Sequence, residues 1–120
     1  MLTNLLKAKI HNATVTVTDV NYHGSITIDT ELLQASGMLV NEHVLVADCE
    51  NGNRFETYII PGEAGGGMIG VNGAAARLTA PGHRVIVMSF VLAQPNELAG
   101  HKARVLIVDG ANKVREIIEH

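Results

Sequence analysis

The sequence predicts a mainly β domain that closes into a barrel and carries short helices. Three observations support this prediction: many short segments rich in β-branched residues, turn-forming residues between them, and only two segments with helix-capping signals. The chain has 120 residues, enough for one compact domain; 47% are apolar and only 3% are aromatic. The core must therefore be built from aliphatic side chains.

The predicted strands follow from β-branched residues, alternation and turn signals. The clearest is Ala13 to Thr18, where hydroxyl and apolar side chains alternate. Asn51-Gly52 predicts a hairpin between two further strands, because both residue types tolerate positive φ. The remaining predicted strands are Ile26 to Ile28, His43 to Cys49, Arg54 to Ile60, Met68 to Val71, Arg84 to Leu92, Ala103 to Val108 and Lys113 to Ile118.

Two short helices are predicted from the residues at their ends. Short polar side chains favour a helix start, and glycine or proline favours its end. The predicted helices are Glu31 to Ser36, capped by Asp29 or Thr30 and ended by Gly37, and Gly73 to Leu78, capped by Asn72 and stopped by Pro81-Gly82.

Composition and charge argue against several classes of function. The formal net charge of −3, without a basic stripe, argues against nucleic acid as the main partner. The single cysteine, Cys49, leaves no internal disulfide and no cysteine-based zinc cluster, and it is typical of a reducing cytoplasm. No segment approaches the ~20 apolar residues of a membrane span, and the histidines lack metal-ligand spacing. We therefore expect neither a membrane span nor a metal.

Gly24-Ser25, between two predicted strands, is by itself a common turn sequence. It also permits self-cleavage, because attack of the Ser25 hydroxyl on the Gly24 carbonyl would convert the peptide bond to an ester. The missing Cβ of Gly24 leaves room for this attack and allows strained backbone angles. Loss of the Ser25 α-proton with β-elimination would then release residues 1–24 and leave a dehydroalanine.

Hydrolysis of that dehydroalanine, with loss of ammonia, would leave a pyruvoyl group at the start of residues 25–120. Such a ketone can form a Schiff base with an amino acid and accept electrons, as pyridoxal phosphate does. From the Gly24-Ser25 pair alone, an ordinary turn and a cleavage site both remain open.

Four short motifs occur in order along the chain. Together they make it resemble the L-aspartate α-decarboxylases, pyruvoyl-dependent enzymes that produce β-alanine for pantothenate synthesis. The resemblance extends from about Leu5 to Asp109 and implies a double-psi β-barrel, a homotetramer with active sites at subunit interfaces, and L-aspartate as substrate. The motifs are Lys9-x-His11, Tyr22-x-Gly24-Ser25, Asn51-Gly52-x-Arg54-Phe55-x-Thr57-Tyr58 and Val71-Asn72-Gly73-Ala74-Ala75-Ala76.

The third motif contains the residues to which the resemblance assigns most of the chemistry. Arg54 would bind a substrate carboxylate, to which a guanidinium offers two parallel charge-assisted hydrogen bonds. Tyr58 would return a proton after CO2 leaves. Thr57 would donate a hydrogen bond to the Gly24 carbonyl during self-cleavage and would also contact substrate. Residues four apart share a strand face, so Thr57 lies opposite the other two unless the strand twists, bulges or reaches the site from another subunit.

The other motifs supply residues whose roles come from the resemblance. Lys9 would lie near the pyruvoyl group and the substrate, His11 would assist processing or shape the pocket, and Tyr22 would shape the processing turn. Backbone N–H groups at a helix start suit an anionic substrate, and small side chains leave room for it. The substrate-binding residues expected in this segment are Asn72, Gly73, Ala74 and Ala75.

Some positions depart from the pattern that the chain resembles. Ala64 stands where members often have arginine, and Ala47 where some have a large aromatic residue. Thr3 and Asn12 occupy positions at which many members carry arginine. These departures concern pocket details and processing rate, because the cleavage pair and the residues for substrate binding and protonation remain.

Two other interpretations stay open. One is a non-catalytic double-psi barrel that mediates assembly or binds a partner, since one fold serves several functions. The other is an intact precursor that does not cleave itself and is therefore inactive. The sequence determines neither the processing rate, nor the need for an accessory maturation factor, nor the oligomer geometry.

Overall fold

The computed structural model describes residues 1–120 and contains nine strands and three short helices. The helices are α1 (Thr30–Ser36) and two 3₁₀ helices (Gly73–Leu78 and Pro95–Glu97). None of them has the length and apolar character needed to cross a membrane. The strands are β1 (Thr3–Thr14), β2 (Val17–Asp19), β3 (Ser25–Asp29), β4 (His43–Asp48), β5 (Arg54–Gly62), β6 (Ile69–Asn72), β7 (Arg84–Ala93), β8 (Arg104–Val108) and β9 (Val114–Glu119).

The sheet closes on itself through the passage from β1 to β2. All nine strands form one sheet with the order β2-β6-β3-β5-β4-β7-β1-β8-β9. β1 pairs with β7, and β2, which follows almost directly in the chain, pairs with β6. Between them, the N–H of Val15 donates to the His83 carbonyl at 2.9 Å. The N–H of Thr16 donates to the Ile69 carbonyl at 2.8 Å. Closure pairs backbone groups that an open edge would leave exposed.

The fold confirms the prediction of a mainly β barrel with short helices. β3 runs parallel to β5 and β2 runs parallel to β6, whereas the β3–β6, β4–β5 and β4–β7 pairs are antiparallel. This mixture of neighbours in a closed sheet is that of a double-psi-like β-barrel. It places β6, β3 and β5 side by side, and these three strands carry the candidate site.

The barrel interior is aliphatic, as the composition predicts. Nineteen buried residues form one hydrophobic cluster, in which Phe55 is the only aromatic side chain. The largest fully buried side chains include Ile10, Ile26, Ile59 and Leu106, which come from four different strands. Burying one such side chain contributes about 1.5–3 kcal/mol, so distant parts of the chain are held around a common core.

The predicted turn at Asn51-Gly52 and the predicted caps of the first helix are confirmed. In the β4–β5 hairpin, Gly52 has a φ of 77°, while Asn51 does not use the positive φ it tolerates. Asp29 caps α1 by accepting the Glu31 N–H at 2.9 Å, and Gly37 ends the helix with a φ of 80°. The predicted strands after the first agree with the observed ones to within two residues at each end.

The first predicted strand, Ala13 to Thr18, is wrong in extent. β1 runs from Thr3 to Thr14, and β2 begins only at Val17. Asn12 has a φ of 62° and lies within a register shift of the β1–β7 ladder, so the backbone bends there. The first half of β1 lacks a run of β-branched residues, and its pairing with β7 makes it a strand.

Asp48, at the end of β4, is a buried carboxylate whose hydrogen bonds are made within the chain. Its Oδ2 accepts from Thr79 Oγ1 at 2.7 Å and lies 2.8 Å from His83 Nδ1. Its Oδ1 accepts from the N–H groups of Glu50 and Asn51 at 2.7 and 3.2 Å. Burial raises the pKa of Asp48, but the hydrogen bonds to the charged form outweigh it, so the pKa lies below its ordinary value.

Replacing Asp48 with asparagine is expected to lower the free energy of unfolding by about 1–3 kcal/mol at neutral pH. Because the folded pKa is depressed, the carboxylate stabilises the fold above its unfolded pKa and loses this contribution as pH falls through the folded pKa. The difference between wild type and variant should therefore shrink in acid. Urea unfolding of both proteins at pH 7 and at about pH 3 measures this difference in the free energy of unfolding. Asp19→Asn, at an exposed position, is the control. An equal difference at both pH values would contradict this account.

Candidate active site

Ser25 begins β3, and its side chain is buried although the residues just before it are exposed. The hydroxyl donates a hydrogen bond to the His23 carbonyl at 3.1 Å. The same oxygen accepts one from Asn72 Nδ2 at 2.9 Å, and Ser25 and Asn72 are register partners in the β3–β6 ladder. The hydroxyl is therefore fixed on two sides at the start of a core strand.

Asn72 occupies the N-cap position of the helix that follows it, as predicted, but the expected capping by its side chain is wrong. Its side chain makes no capping hydrogen bond. Instead, Nδ2 donates to Thr27 Oγ1 at 3.1 Å as well as to the Ser25 hydroxyl. Asn72 is the last residue of β6, and its side chain is buried against β3 rather than turned toward the helix. One amide thus holds two hydroxyl groups of β3.

Thr27 belongs to this network, although no sequence motif singled it out. It lies two residues after Ser25 on β3, and residues two apart share a strand face. That spacing was the only available signal. Because threonine is common in strands for its shape alone, the spacing could not distinguish a polar contact from ordinary packing.

Gly73 brings its own backbone into contact with the turn before Ser25. Its φ is +76°, in the left-handed region that favours glycine. A Cβ at this position would lie 2.6 Å from Gly24 Cα and 2.9 Å from Gly24 N. Carbon atoms in favourable contact are about 3.5–4.0 Å apart. Only glycine therefore allows this segment to pack against the Gly24-Ser25 pair.

Gly24 does not use the left-handed backbone conformation that glycine allows. Gly24 does not have a positive φ, and a Cβ built on it would meet no atom within 4 Å. The left-handed conformation occurs across the contact, at Gly73. The space at the Cβ position of Gly24 is open, and because a Cβ would also fit there, packing within the chain does not require glycine at this position.

β5 places Arg54 and Tyr58 on one face, as predicted. Both residues are exposed, whereas Phe55 and Ile59 are buried on the opposite face. Pairing of β5 with β4 is continuous from Arg54 to Tyr58, so no bulge reverses the alternation. The two residues lie about 13 Å apart along the strand.

Tyr58 and Ser25 each lie one residue before the first pair of the parallel β3–β5 ladder. Ile26 is the register partner of Ile59 in this ladder. One residue earlier on both strands, the same register places Ser25 beside Tyr58. Ser25 and Asn72 are register partners and share a face, and the register continued by one residue would place Tyr58 on the same side of the sheet.

Thr57 lies on the opposite face of β5 from Tyr58, as the pleat predicts. It is half-buried, and its register partner Val44 is a core residue. No hydrogen bond joins it to Gly24. Since the strand has no bulge here, the structure excludes one of the three ways by which both side chains could reach one centre.

Arg54 is available to bind an anion. The five ion pairs of the chain do not include it. Its register partner across β4–β5 is Ala47, whose small side chain leaves that flank of Arg54 uncrowded. The guanidinium therefore keeps its donors for a ligand.

A cleft of about 320 Å³ adjoins the Ser25 network and is lined by Tyr22, Thr27 and Asn72. Tyr22 is exposed, and its ring meets that of His23 edge-on with centroids 5.4 Å apart. Clefts near this volume are at the lower end of those that bind small molecules. The cleft gives a small ligand access to the side chains that hold Ser25.

Lys9 and His11 lie two apart on β1, but the structure does not bring them to Ser25. The strand that carries them, β1, pairs with β7 and β8, whereas β3 pairs with β5 and β6. Both residues line a different cleft, of about 260 Å³, together with Ile107 of β8. His11 Nδ1 is buried without a hydrogen-bond partner. Within one chain, these two residues are therefore apart from the serine.

The segment after Asn72 forms a six-residue 3₁₀ helix rather than an α-helix. Ala74 is exposed on it, and Ala75 is half-buried against the core. Ala64 lies exposed in the loop between β5 and β6. Nowhere in the chain do three or more His, Cys, Asp or Glu side chains group as metal ligands would.

Comparison with known proteins identifies the family. A family model described as aspartate decarboxylase matches residues 1–115. The chain belongs to the aspartate decarboxylase family. An aspartate 1-decarboxylase of Neisseria meningitidis serogroup C is 50% identical over 120 residues, which are 100% of this chain and 94% of the relative. One of Caldicellulosiruptor saccharolyticus is 52% identical over 95% of this chain and 89% of the relative. One of Chlorobium limicola is 54% identical over 93% of this chain and 88% of the relative.

The match to the aspartate decarboxylase family includes every part of the site described above. Residues 1–115 contain the Gly24-Ser25 pair, the Asn72 network and the face of β5 with Arg54 and Tyr58. The relatives named here are matched over at least 88% of their own length. The chain therefore corresponds to nearly the whole length of these relatives.

Proposed function

We propose that this chain converts L-aspartate to β-alanine and CO2, a step of pantothenate biosynthesis, after cutting itself between Gly24 and Ser25. The observation that carries the proposal is the buried Ser25 hydroxyl, held by Asn72 beside the Gly73 contact in a member of the aspartate decarboxylase family. The products of the cut are residues 1–24 and residues 25–120, the latter starting with a pyruvoyl group derived from Ser25.

The hydrogen bonds of the Ser25 hydroxyl in the uncleaved chain indicate how the cleavage reaction begins. The Ser25 proton is directed to the His23 carbonyl, and a lone pair of its oxygen accepts from Asn72. Asn72 therefore restricts the oxygen to a position next to the Gly24 carbonyl, while the Gly73 backbone limits movement of Gly24. Fixing a nucleophile and its target in this way removes much of the entropic cost of an intramolecular attack.

The residues around Ser25 fit a pyruvoyl group. The side chain is buried beside an amide donor, and the adjoining cleft admits a small molecule. When present, the group supplies a ketone that binds the substrate amine and takes up the electron pair that CO2 leaves behind. Asn72 donates a hydrogen bond next to it, and burial keeps water from its surroundings.

Arg54 binds the substrate, and Tyr58 returns a proton to it. The Arg54 guanidinium binds a substrate carboxylate through two hydrogen bonds, which requires the free donors noted above. Tyr58, beside Ser25 in the register, donates a proton to the carbon from which CO2 has left. Thr57 supports the processing step or contacts substrate from the other face of the strand.

A second copy of the chain supplies Lys9 and His11 to the same site. Two observations support this: Lys9 and His11 line a different cleft from the one beside Ser25, and β1 pairs with β7 and β8 rather than with β3. We place the site at an interface of a homotetramer in the cytoplasm. The alternative of a non-catalytic assembly barrel has no specific observation in its favour.

Intact mass under denaturing conditions, followed by a CO2 assay, tests the proposal. We expect two fragments, one ending at Gly24 and one carrying a pyruvoyl group in place of Ser25, and release of labelled CO2 from aspartate. A single full-length mass after prolonged incubation would reject self-processing and support the inactive precursor. Complete cleavage without CO2 release would reject the decarboxylase activity.

A further inference from the structure

Two asparagine side chains converge on one backbone carbonyl, that of Leu78. Asn51 Nδ2 donates to it at 3.0 Å and Asn53 Nδ2 at 2.9 Å. A carbonyl oxygen has two lone pairs, so its hydrogen-bonding capacity is filled. Leu78 is the last residue of the 3₁₀ helix Gly73–Leu78, whose terminal carbonyl would otherwise lack a partner.

Asp48 strengthens the same connection. Its Oδ2 accepts from Thr79 Oγ1, on the residue directly after Leu78, at 2.7 Å. Its Oδ1 accepts from the Asn51 N–H, and the Asn51 Oδ1 in turn accepts from the Asn53 N–H at 2.8 Å. The hairpin turn between β4 and β5 is thus fastened to two consecutive residues at the end of the helix.

This connection joins two parts of the candidate site. Arg54 follows Asn53 directly and begins β5. The opposite end of the same helix begins at Gly73, which packs on Gly24. A 3₁₀ helix rises about 2 Å per residue, so a short rigid element links the cleavage pair to the turn that carries Arg54.

We propose that Asn51 and Asn53 are positioning residues for Arg54, holding its backbone against the end of the Gly73–Leu78 helix. The proposal rests on the function proposed above, in which Arg54 binds a substrate carboxylate. The Arg54 side chain has no ion pair of its own, so its location depends on the backbone of the turn. Carboxylate binding through two parallel hydrogen bonds is sensitive to small displacements.

Asn53→Ala provides the primary test, because Leu78 is the only hydrogen-bond partner of the Asn53 side chain. In the fully cleaved enzyme we expect KM for aspartate to rise about three- to tenfold while kcat stays within about twofold. The rate of cleavage at Gly24-Ser25 should not change. Glu50→Gln is the matched control, since it removes the exposed Arg84 ion pair of the same turn without touching Leu78; its KM should equal that of wild type.

A double-mutant cycle with Arg54→Lys separates positioning from general stability. Arg54→Lys alone should raise KM, because lysine cannot make the two parallel hydrogen bonds. Asn53→Ala should raise KM much less in the Arg54→Lys background than in the wild type, because the effects of substitutions at coupled residues do not add.

Two results would overturn the inference: an equal rise in KM in both backgrounds, or a KM unchanged by Asn53→Ala, whether or not its melting temperature falls. A KM unchanged by Arg54→Lys would instead reject the role proposed for Arg54 itself. A raised KM in Arg54→Lys with a normal KM in Asn53→Ala leaves that role standing and rejects only the positioning by Asn53.

Discussion

Replacing Ser25 with alanine is expected to abolish both cleavage of the chain and release of CO2 from aspartate. The hydroxyl is the only group at this position that can attack the Gly24 carbonyl, and without it no pyruvoyl group forms. The fold should persist, because Ser25 contributes only two hydrogen bonds and β3 is held in the core by Ile26 and Ile28. Intact mass should give one full-length species, and labelled aspartate should release no CO2 above background.

Ser89→Ala is a matched control for this experiment. Ser89 is also a buried strand serine, but its hydroxyl has no hydrogen-bond partner, so its removal should cost little or even stabilise the fold. The control should cleave and decarboxylate like wild type. Persistent CO2 release by the Ser25 variant would refute the proposed origin of the cofactor.

Replacing Gly73 with alanine is expected to slow cleavage by about 10²-fold, because the added Cβ must displace Gly24 by on the order of 1 Å. The added Cβ would lie 2.6 Å from Gly24 Cα, which is a backbone atom, so no flexible side chain can yield. The fraction of cleaved chain, followed over time by denaturing mass measurement, gives the rate.

Gly82→Ala controls for backbone strain alone. Gly82 has a φ of +90°, yet a Cβ there would meet nothing within 4 Å. Both variants carry the left-handed penalty of about 1–2 kcal/mol, but only the Gly73 variant moves the cleavage pair. Equal cleavage rates in the two variants would show that the contact with Gly24 does not govern processing.

Local chemistry made part of the fold predictable. The Asn51-Gly52 hairpin and the Asp29-capped helix depend on residues a few positions apart, and the structure confirms both. The first half of β1 depends instead on hydrogen bonds to β7, about eighty residues away in the chain, and no local pattern indicated it. Closure of the sheet through β1 and β2 is likewise a property of long-range pairing.

The same distinction applies to the site. Periodicity alone predicted that Arg54 and Tyr58 share a face of β5. The position of Ser25 beside Tyr58 required the register of β3 on β5, which no spacing encodes. Asn72 was expected to cap a helix, because asparagine before a helical segment usually does, but two hydroxyl groups on β3 compete successfully for its amide.

Residues 1–24, the segment that the proposed cut would separate, contain both strands that close the barrel, β1 and β2. β1 forms ladders with β7 and β8, so the short piece would stay in place by non-covalent bonds. Denaturation would then release two molecules instead of one, and renaturation would become a bimolecular reaction that depends on protein concentration. The mature protein would be a fragment-complementation pair, assembled easily as one precursor and only slowly from its separated pieces.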